Sequence, residues 1–319
     1  MRNRIPYIDN IKCFAIICVM LGHALQYLEG DRLENVYSFN FIYTFHMPLF
    51  MMVSGYFFSS SLRLSFGDFI KKKFTQLLLP GLTWSLAKYL IGGGRNLIGI
   101  IDFYWFLKSV FFCYIITFIA IKVIKREKVA FCFLILISLL VNLDISTYML
   151  NYMLPCFIFG SIINRHIHFF MNYKIVLLSI SIFLYILMLP YWEFSEYHYL
   201  SIWQEGTMSL QREIQLLHRL IIGLSGSLAI FLLFTYTNGN SRIVQIIGSS
   251  TLGLYVMNGL LSDIQRHFFM TSINNELLSL VIACIIVVVQ IPLFLFLMNI
   301  LKRNKLLGLL LFGYKNIKI

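Results

Sequence analysis

Charged residues are scarce in this 319-residue chain. Asp, Glu, Lys and Arg make up 13% of it, against the roughly 25% of an ordinary soluble domain. With 59% hydrophobic residues and a mean hydropathy of +0.79, that shortage excludes a water-soluble enzyme and leaves an integral membrane protein. Acids are the rarer charge, 14 against 26 bases, for a net +12. A nucleic-acid partner is excluded by placement, since the cations sit in short loops between apolar segments. No CxxC pair occurs among the six cysteines, and all six lie in apolar segments. They read as buried thiols, neither disulfides nor metal ligands. Arg2 and Arg4 precede an apolar run as in a signal peptide, but no A-x-A site follows, so the run reads as a retained first helix. No repeat and no long linker is present, and 1–319 reads as one transmembrane domain.

What the chain has in quantity is long apolar runs. About 20 apolar residues cross a bilayer as a helix. Ten such runs fall at 8–28, 39–61, 75–92, 98–121, 129–145, 147–164, 174–191, 216–236, 243–262 and 277–300. The break near Asp144 and Ser146 between the fifth and sixth is short. The expected fold is an all-α polytopic bundle of about ten helices. With the N-terminus in the cytoplasm, eighteen of the 26 bases fall in inside loops and tails. Four (Arg32, Arg95, Arg212, Arg266) fall outside, and four (Lys12, Lys88, Lys108, Arg219) lie in or at the ends of spans. That bias follows the positive-inside rule and puts both termini in the cytoplasm. Thirty Phe and eighteen Tyr suit lipid-facing and interfacial positions. The longest outside loop, 192–215, combines Trp192 and Trp203 with Glu193, Glu196, Glu205 and Glu213. It reads equally as a carbohydrate-binding surface or as an interfacial belt.

Ionisable residues inside spans are costly and tend to be functional. The first span contains KCFAIICVMLGH, Lys12 to His23. Eleven residues of α-helix turn through about 1100°, so the two polar ends share a face some 16 Å apart along the axis. Asp9 lies one turn before Lys12, within pairing reach. The second span contains FHMPLFMMVSGYFF, with His46 at a depth similar to that of His23. Pro48 removes one backbone hydrogen bond, and Ser54 and Gly55 permit close helix packing. Alone, Lys12 reads as a snorkelling anchor and His23 as a packing histidine. Two histidines at matching depth on consecutive spans argue for a site. No nearby Asp, Glu or third His completes a metal centre, so no metal is expected. Lys71, Lys72 and Lys73 in the second inside loop suit anionic lipid or phosphates. Asp102, Tyr104, Trp105 and Lys108 open the fourth span. His218 and Arg219 lie near the outer end of the eighth, and Tyr255 and Asn258 lie one turn apart in the ninth.

These stretches resemble the integral-membrane acyltransferase family three, which includes bacterial O-acetyltransferases of surface polysaccharides. The resemblance covers nearly the whole chain. It rests on the basic residue, ten residues and histidine of Lys12–His23, on FHMPLFMMVSGYFF, on YWFLKSVFFCY (Tyr104–Tyr114) and on IGSSTLGLYVMNG (Ile247–Gly259). Two positions depart from the family pattern: Gln76 stands where a second base three residues after Lys73 is usual, and Asn258 replaces a histidine.

The resemblance implies transfer of an acyl group, most often acetyl, from cytoplasmic acyl-CoA to a hydroxyl of a cell-surface glycan. The setting would be the bacterial inner membrane, and membrane lipid and the glycan acceptor are the expected partners. Lys12 and Lys71 to Lys73 would meet the donor's phosphates, and the pantetheine arm would run along the face from Lys12 to His23. His23 would act as general base or carry the acetyl group itself, and His46 would orient it or donate to the thioester oxygen. Asp9, Trp105, Lys108, Arg219, Tyr255 and Asn258 would bind substrate, with Arg219 and Asn258 holding the acceptor or polarising the carbonyl. A transporter or flippase is the rival reading, since intramembrane histidines and arginine also serve proton-coupled transport. A non-catalytic family member is the other. Neither the acyl group, the sugar nor the oligomeric state is written in the sequence.

Overall fold

An apolar segment in lipid must satisfy every backbone N–H within itself, and helix does this locally. The computed structural model describes residues 5–91, 104–140, 149–192, 203–204, 207–208, 210–237, 241–269, 273 and 275–314. It is helical almost throughout. The helices are α1 (Pro6–Glu29), α2 (Tyr37–Tyr56), α3 (Phe66–Lys73), α4 (Leu79–Ile91), α5 (Trp105–Ile124), α6 (Glu127–Leu140) and α7 (Leu150–Arg165). They continue with α8 (Ile167–Asn172), α9 (Lys174–Met188), α10 (Leu210–Phe234), α11 (Arg242–Ser249), α12 (Thr251–Phe269), α13 (Glu276–Arg303) and α14 (Lys305–Phe312). Among the described residues the strands are one antiparallel pair, Trp203–Gln204 with Thr207–Met208. Asp102, Asp144, Ser146, Glu193, Glu196 and Glu205 lie outside the described residues.

Among the described residues, five helical stretches are long and apolar enough to cross a membrane: Pro6–Glu29, Trp105–Ile124, Lys174–Tyr191, Glu213–Phe234 and Glu276–Arg303. A sixth crossing is available if Arg242–Ser249 and Thr251–Ser262, bent by 66° at Ser250, act as one span. The remaining expected spans are helical but shorter or more polar. α4 has 13 residues, about 20 Å at 1.5 Å per residue, and follows a π-helical turn at Phe74–Leu78. α2 has the length but carries Asn40, His46 and three tyrosines.

The helices form two compact units. The first comprises Met1–His46, Leu79–Tyr104 and Leu233–Ile319. Its centre is α1, against which α11, α12 and α13 pack. Gly248 of α11 lets the backbones touch, for a Cβ there would stand 2.5 Å from the Asp9 carbonyl oxygen. Phe14 packs between Phe45 and Phe234, with ring centroids 6.0 and 5.6 Å away. α14 lies on α4, where Trp84 Nε1 donates to the Leu311 carbonyl at 2.9 Å.

The second unit comprises Met47–Leu78 and Trp105–Leu232. α5, α6 and α7 pack together, and the end of α2 crosses α7 at two glycines. A Cβ on Gly55 would overlap the Phe157 carbonyl oxygen, and one on Gly160 would overlap that of Met52. Small residues at a membrane crossing let backbones approach this closely. Around the crossing, Phe58 and Tyr114 each meet Phe157 edge to face, and Phe69 stacks on Phe118 at 4.1 Å. Glu127 at the start of α6 pairs with Arg165 at the end of α7. Burial raises the Glu127 carboxyl, while Arg165 and His166 pull it back. The broad apolar exposure of α9, with Ile175 69% and Phe183 65% exposed, is a lipid-facing surface. Cys132 and Cys284 are exposed on such surfaces, so the expectation of six buried thiols holds for four.

Candidate active site

Two side-chain pairs, each one helical turn apart, build the centre in the first unit. On α1, His23 Nδ1 lies 3.0 Å from Gln26 Oε1. On α2, the Tyr43 and His46 rings meet edge to face with centroids 4.6 Å apart. Gln26 Nε2 joins the helices by donating to Tyr43 Oη at 2.7 Å. Gly22 is the condition for this join, because a Cβ there would stand 2.9 Å from Tyr43 Cε2. The glycine before His23 is therefore the seat of the phenol ring.

His46 is 5% exposed, and its Nδ1 lies 2.8 Å from the Ile42 carbonyl oxygen. A carbonyl only accepts, so Nδ1 carries the hydrogen and the neutral ring has its lone pair on Nε2. Neutral His46 can take a proton at Nε2. Donation from that atom to a thioester oxygen requires the protonated ring. The structure thus brings the two expected histidines into one hydrogen-bonded and aromatic chain, His23–Gln26–Tyr43–His46.

Asp9 and Lys12 lie half-buried at the N-terminal end of α1, where a carboxylate offsets the helix dipole. In the same unit Tyr255 is half-buried and Asn258 only 2% exposed. Tyr104 organises their surroundings. Its hydroxyl donates to the Val256 carbonyl at 2.7 Å, its ring meets Tyr255 at 5.9 Å, and Lys88 Nζ stands 5.9 Å above it. Tyr104 adopts φ 56, a backbone conformation that few non-glycine residues take. A Cβ on Gly259 would stand 2.7 Å from Tyr104 Cε1. Gly259→Ala is therefore expected to displace the ring and destabilise the protein by about 1–3 kcal/mol, read as a lower melting temperature in detergent.

In the second unit, α3 is opened by Ser65, whose Oγ accepts from the Asp68 amide at 3.2 Å and donates to the Asp68 carboxylate at 2.7 Å. It closes with Lys71, Lys72 and Lys73, favourable at a helix C-terminus. Lys71 is exposed and Lys72 half-buried. Lys73 is buried, with its ammonium 3.3 Å from the centre of the Tyr114 ring. Gln76 sits exposed in the π-helical turn that follows. Trp105 is half-buried at the start of α5, and Lys108, one turn on, is 5% exposed. Arg219 is also 5% exposed and lies 4.5 Å over the Trp192 ring, while His218 Nε2 donates to the Met188 carbonyl at 2.9 Å. Among the described residues no cluster of three or more His, Cys, Asp or Glu could hold a metal.

Sequence reasoning passed over Gln26, Tyr43 and the aromatic support from Tyr114. The signal for the first two was present as spacing, since each lies three residues from a singled-out histidine.

Comparison with known proteins follows the same line. Residues 5–297 match a family described as "Acyltransferase domain". The chain is similar to nodulation protein NolL of Mesorhizobium japonicum (strain LMG 29417 / CECT 9101 / MAFF 303099), 30% identical over 302 residues, covering 81% of this chain and 76% of that protein. It is also similar to nodulation protein NolL of Sinorhizobium fredii (strain NBRC 101917 / NGR234), 33% identical over 178 residues, 50% of this chain. That match spans about half of the relative's own length, 48%. No solved structure matches. The family match over nearly the whole chain, on a helical fold with several membrane-crossing segments, shows that this integral membrane protein belongs to the acyltransferase family three.

Proposed function

We propose that this chain is an O-acyltransferase of the bacterial inner membrane. It moves an acetyl group from cytoplasmic acetyl-CoA to a hydroxyl of an extracytoplasmic glycan. The observation that carries the reading is the His23–Gln26–Tyr43–His46 chain, two imidazoles held in defined orientation on apolar helices. The eighteen-to-four bias of loop cations supports cytoplasmic termini, with Lys12 toward the cytoplasmic end of α1 in that orientation.

In the base-catalysed route, an imidazole Nε2 accepts the acceptor hydroxyl's proton as its oxygen attacks the thioester carbonyl. The C–S bond then breaks, and the imidazolium returns the proton to the departing thiolate. In the covalent route His23 Nε2 attacks the thioester carbonyl and the C–S bond breaks to release CoA thiolate; the acceptor oxygen then takes the acetyl group from the ring, and its proton passes to that thiolate. Lys12 and Lys71 to Lys73 are the proposed cations for the donor's phosphates. Asp9, Trp105, Lys108, Arg219, Tyr255 and Asn258 are the proposed substrate-binding residues. Membrane lipid and the glycan are the proposed partners.

The test is a vesicle assay. Inside-out membranes containing the protein and native surface glycan receive radiolabelled acetyl-CoA. Release of CoA thiol together with alkali-labile label on glycan is the expected result. Movement of glycan without thiol release overturns the reading in favour of transport. Within the same assay Lys73→Gln is expected to raise KM for acetyl-CoA with little change in kcat. A charge-assisted bond is worth about 1.5 kcal/mol or more, so the rise should be about tenfold.

A further inference from the structure

The geometry points to Gln26 as a positioning residue. Its amide oxygen fixes the tautomer of His23 so that the ring's Nδ1 is protonated and its Nε2 is the basic atom, matching His46. This rests on the acyltransferase reading for its consequence in catalysis, but not for the tautomer itself.

The argument starts from the amide. A glutamine has one accepting end and one donating end. Gln26 Nε2 donates to Tyr43 Oη at 2.7 Å, and Oε1 faces the His23 ring at 3.0 Å. Because an amide oxygen cannot donate, the hydrogen in that contact belongs to His23 Nδ1. A flipped amide would put an N–H against Nδ1 and move the ring's hydrogen to Nε2. Amide orientation and ring tautomer are thus one switch, and the Tyr43 hydroxyl, which can accept or donate, bonds its far end. Tyr43 is held in turn by the gap at Gly22, by Phe39 at 3.9 Å and by the His46 ring at 4.6 Å. The His46 tautomer is fixed separately by the Ile42 carbonyl, which belongs to the backbone of α2 and cannot flip. Two rings from two helices are thereby set to the same polarity by different means, one by backbone and one by a side chain open to mutation.

Solid-state ¹⁵N NMR of histidine-labelled protein in lipid vesicles reads the tautomer directly. His23 signals are identified by their loss in His23→Asn. Wild type is expected to show protonated Nδ1 and unprotonated Nε2 at His23. Gln26→Leu removes the acceptor and should convert at least half of the signal to the Nε2–H form. Gln26→Glu can only accept and should keep the wild-type pattern. In the acetyl-CoA assay Gln26→Leu should lower kcat about 100-fold with KM for acetyl-CoA within about twofold, and Gln26→Glu should recover most of it. A wild-type His23 protonated on Nε2, or a Gln26→Leu spectrum identical to wild type, overturns the inference. Membranes without acetyl transfer overturn the functional reading alone, because the NMR result still decides the tautomer.

Discussion

His23→Ala and His46→Ala are each expected to lower acetyl transfer about a thousandfold, within the range for losing a positioned acid–base group. KM for acetyl-CoA should change far less, since neither ring is proposed to bind the donor's phosphates. The exposed His168, on the short helix α8, provides the control, and His168→Ala should transfer at the wild-type rate. The two deletions are also expected to be non-additive, because the rings belong to one connected chain through Gln26 and Tyr43. A double variant much worse than either single variant would show that they act in separate steps. Wild-type transfer by His23→Ala sinks both roles assigned to that ring. An acetyl group trapped on His23 after brief mixing with donor selects the covalent route.

The second large effect concerns stability. Gly55→Ala and Gly160→Ala should each destabilise the second unit by at least about 3 kcal/mol, the upper part of the range for overpacking. The added methyl meets a backbone carbonyl in both cases, the oxygen of Phe157 or that of Met52. A side chain could swing aside, but a helix carbonyl moves only with its helix. Thermal unfolding in detergent, followed by accessibility of the cysteines Cys113 and Cys156 buried in this unit, measures the loss. Because both methyls push the same two helices apart, the double variant should cost less than the sum of the singles. Unchanged melting in either single variant would mean that α2 and α7 do not cross there.

Parts of this arrangement were legible in the sequence for definite reasons. Hydropathy fixes the membrane class because backbone in lipid has few options. His23 and His46 stand out because an imidazole in an apolar run has no trivial reason to be there. Gly55 was readable as a packing residue, but its counterpart Gly160 was not, since pairing the two requires knowing that α2 crosses α7. Gln26 and Tyr43 were hidden among other polar and aromatic residues near helix ends, where a membrane interface would place them anyway. The partner of Lys73 was hidden too, because Tyr114 lies 41 positions away and meets it only through packing. Hydropathy treats 75–92 as one segment, whereas the structure divides it between a π-helical turn and a 13-residue helix.

The packing of α1 has a consequence for how the protein is made. α1 is covered by α11, α12 and α13, which follow it by more than 200 residues in the chain. At about 5–20 residues per second, α1 waits some 10–40 s in the bilayer before those helices begin to arrive. During that interval the side of α1 that they cover has only lipid, the early helices or an insertion chaperone against it. Chains cut short before Arg242 would leave that side of α1 uncovered for good.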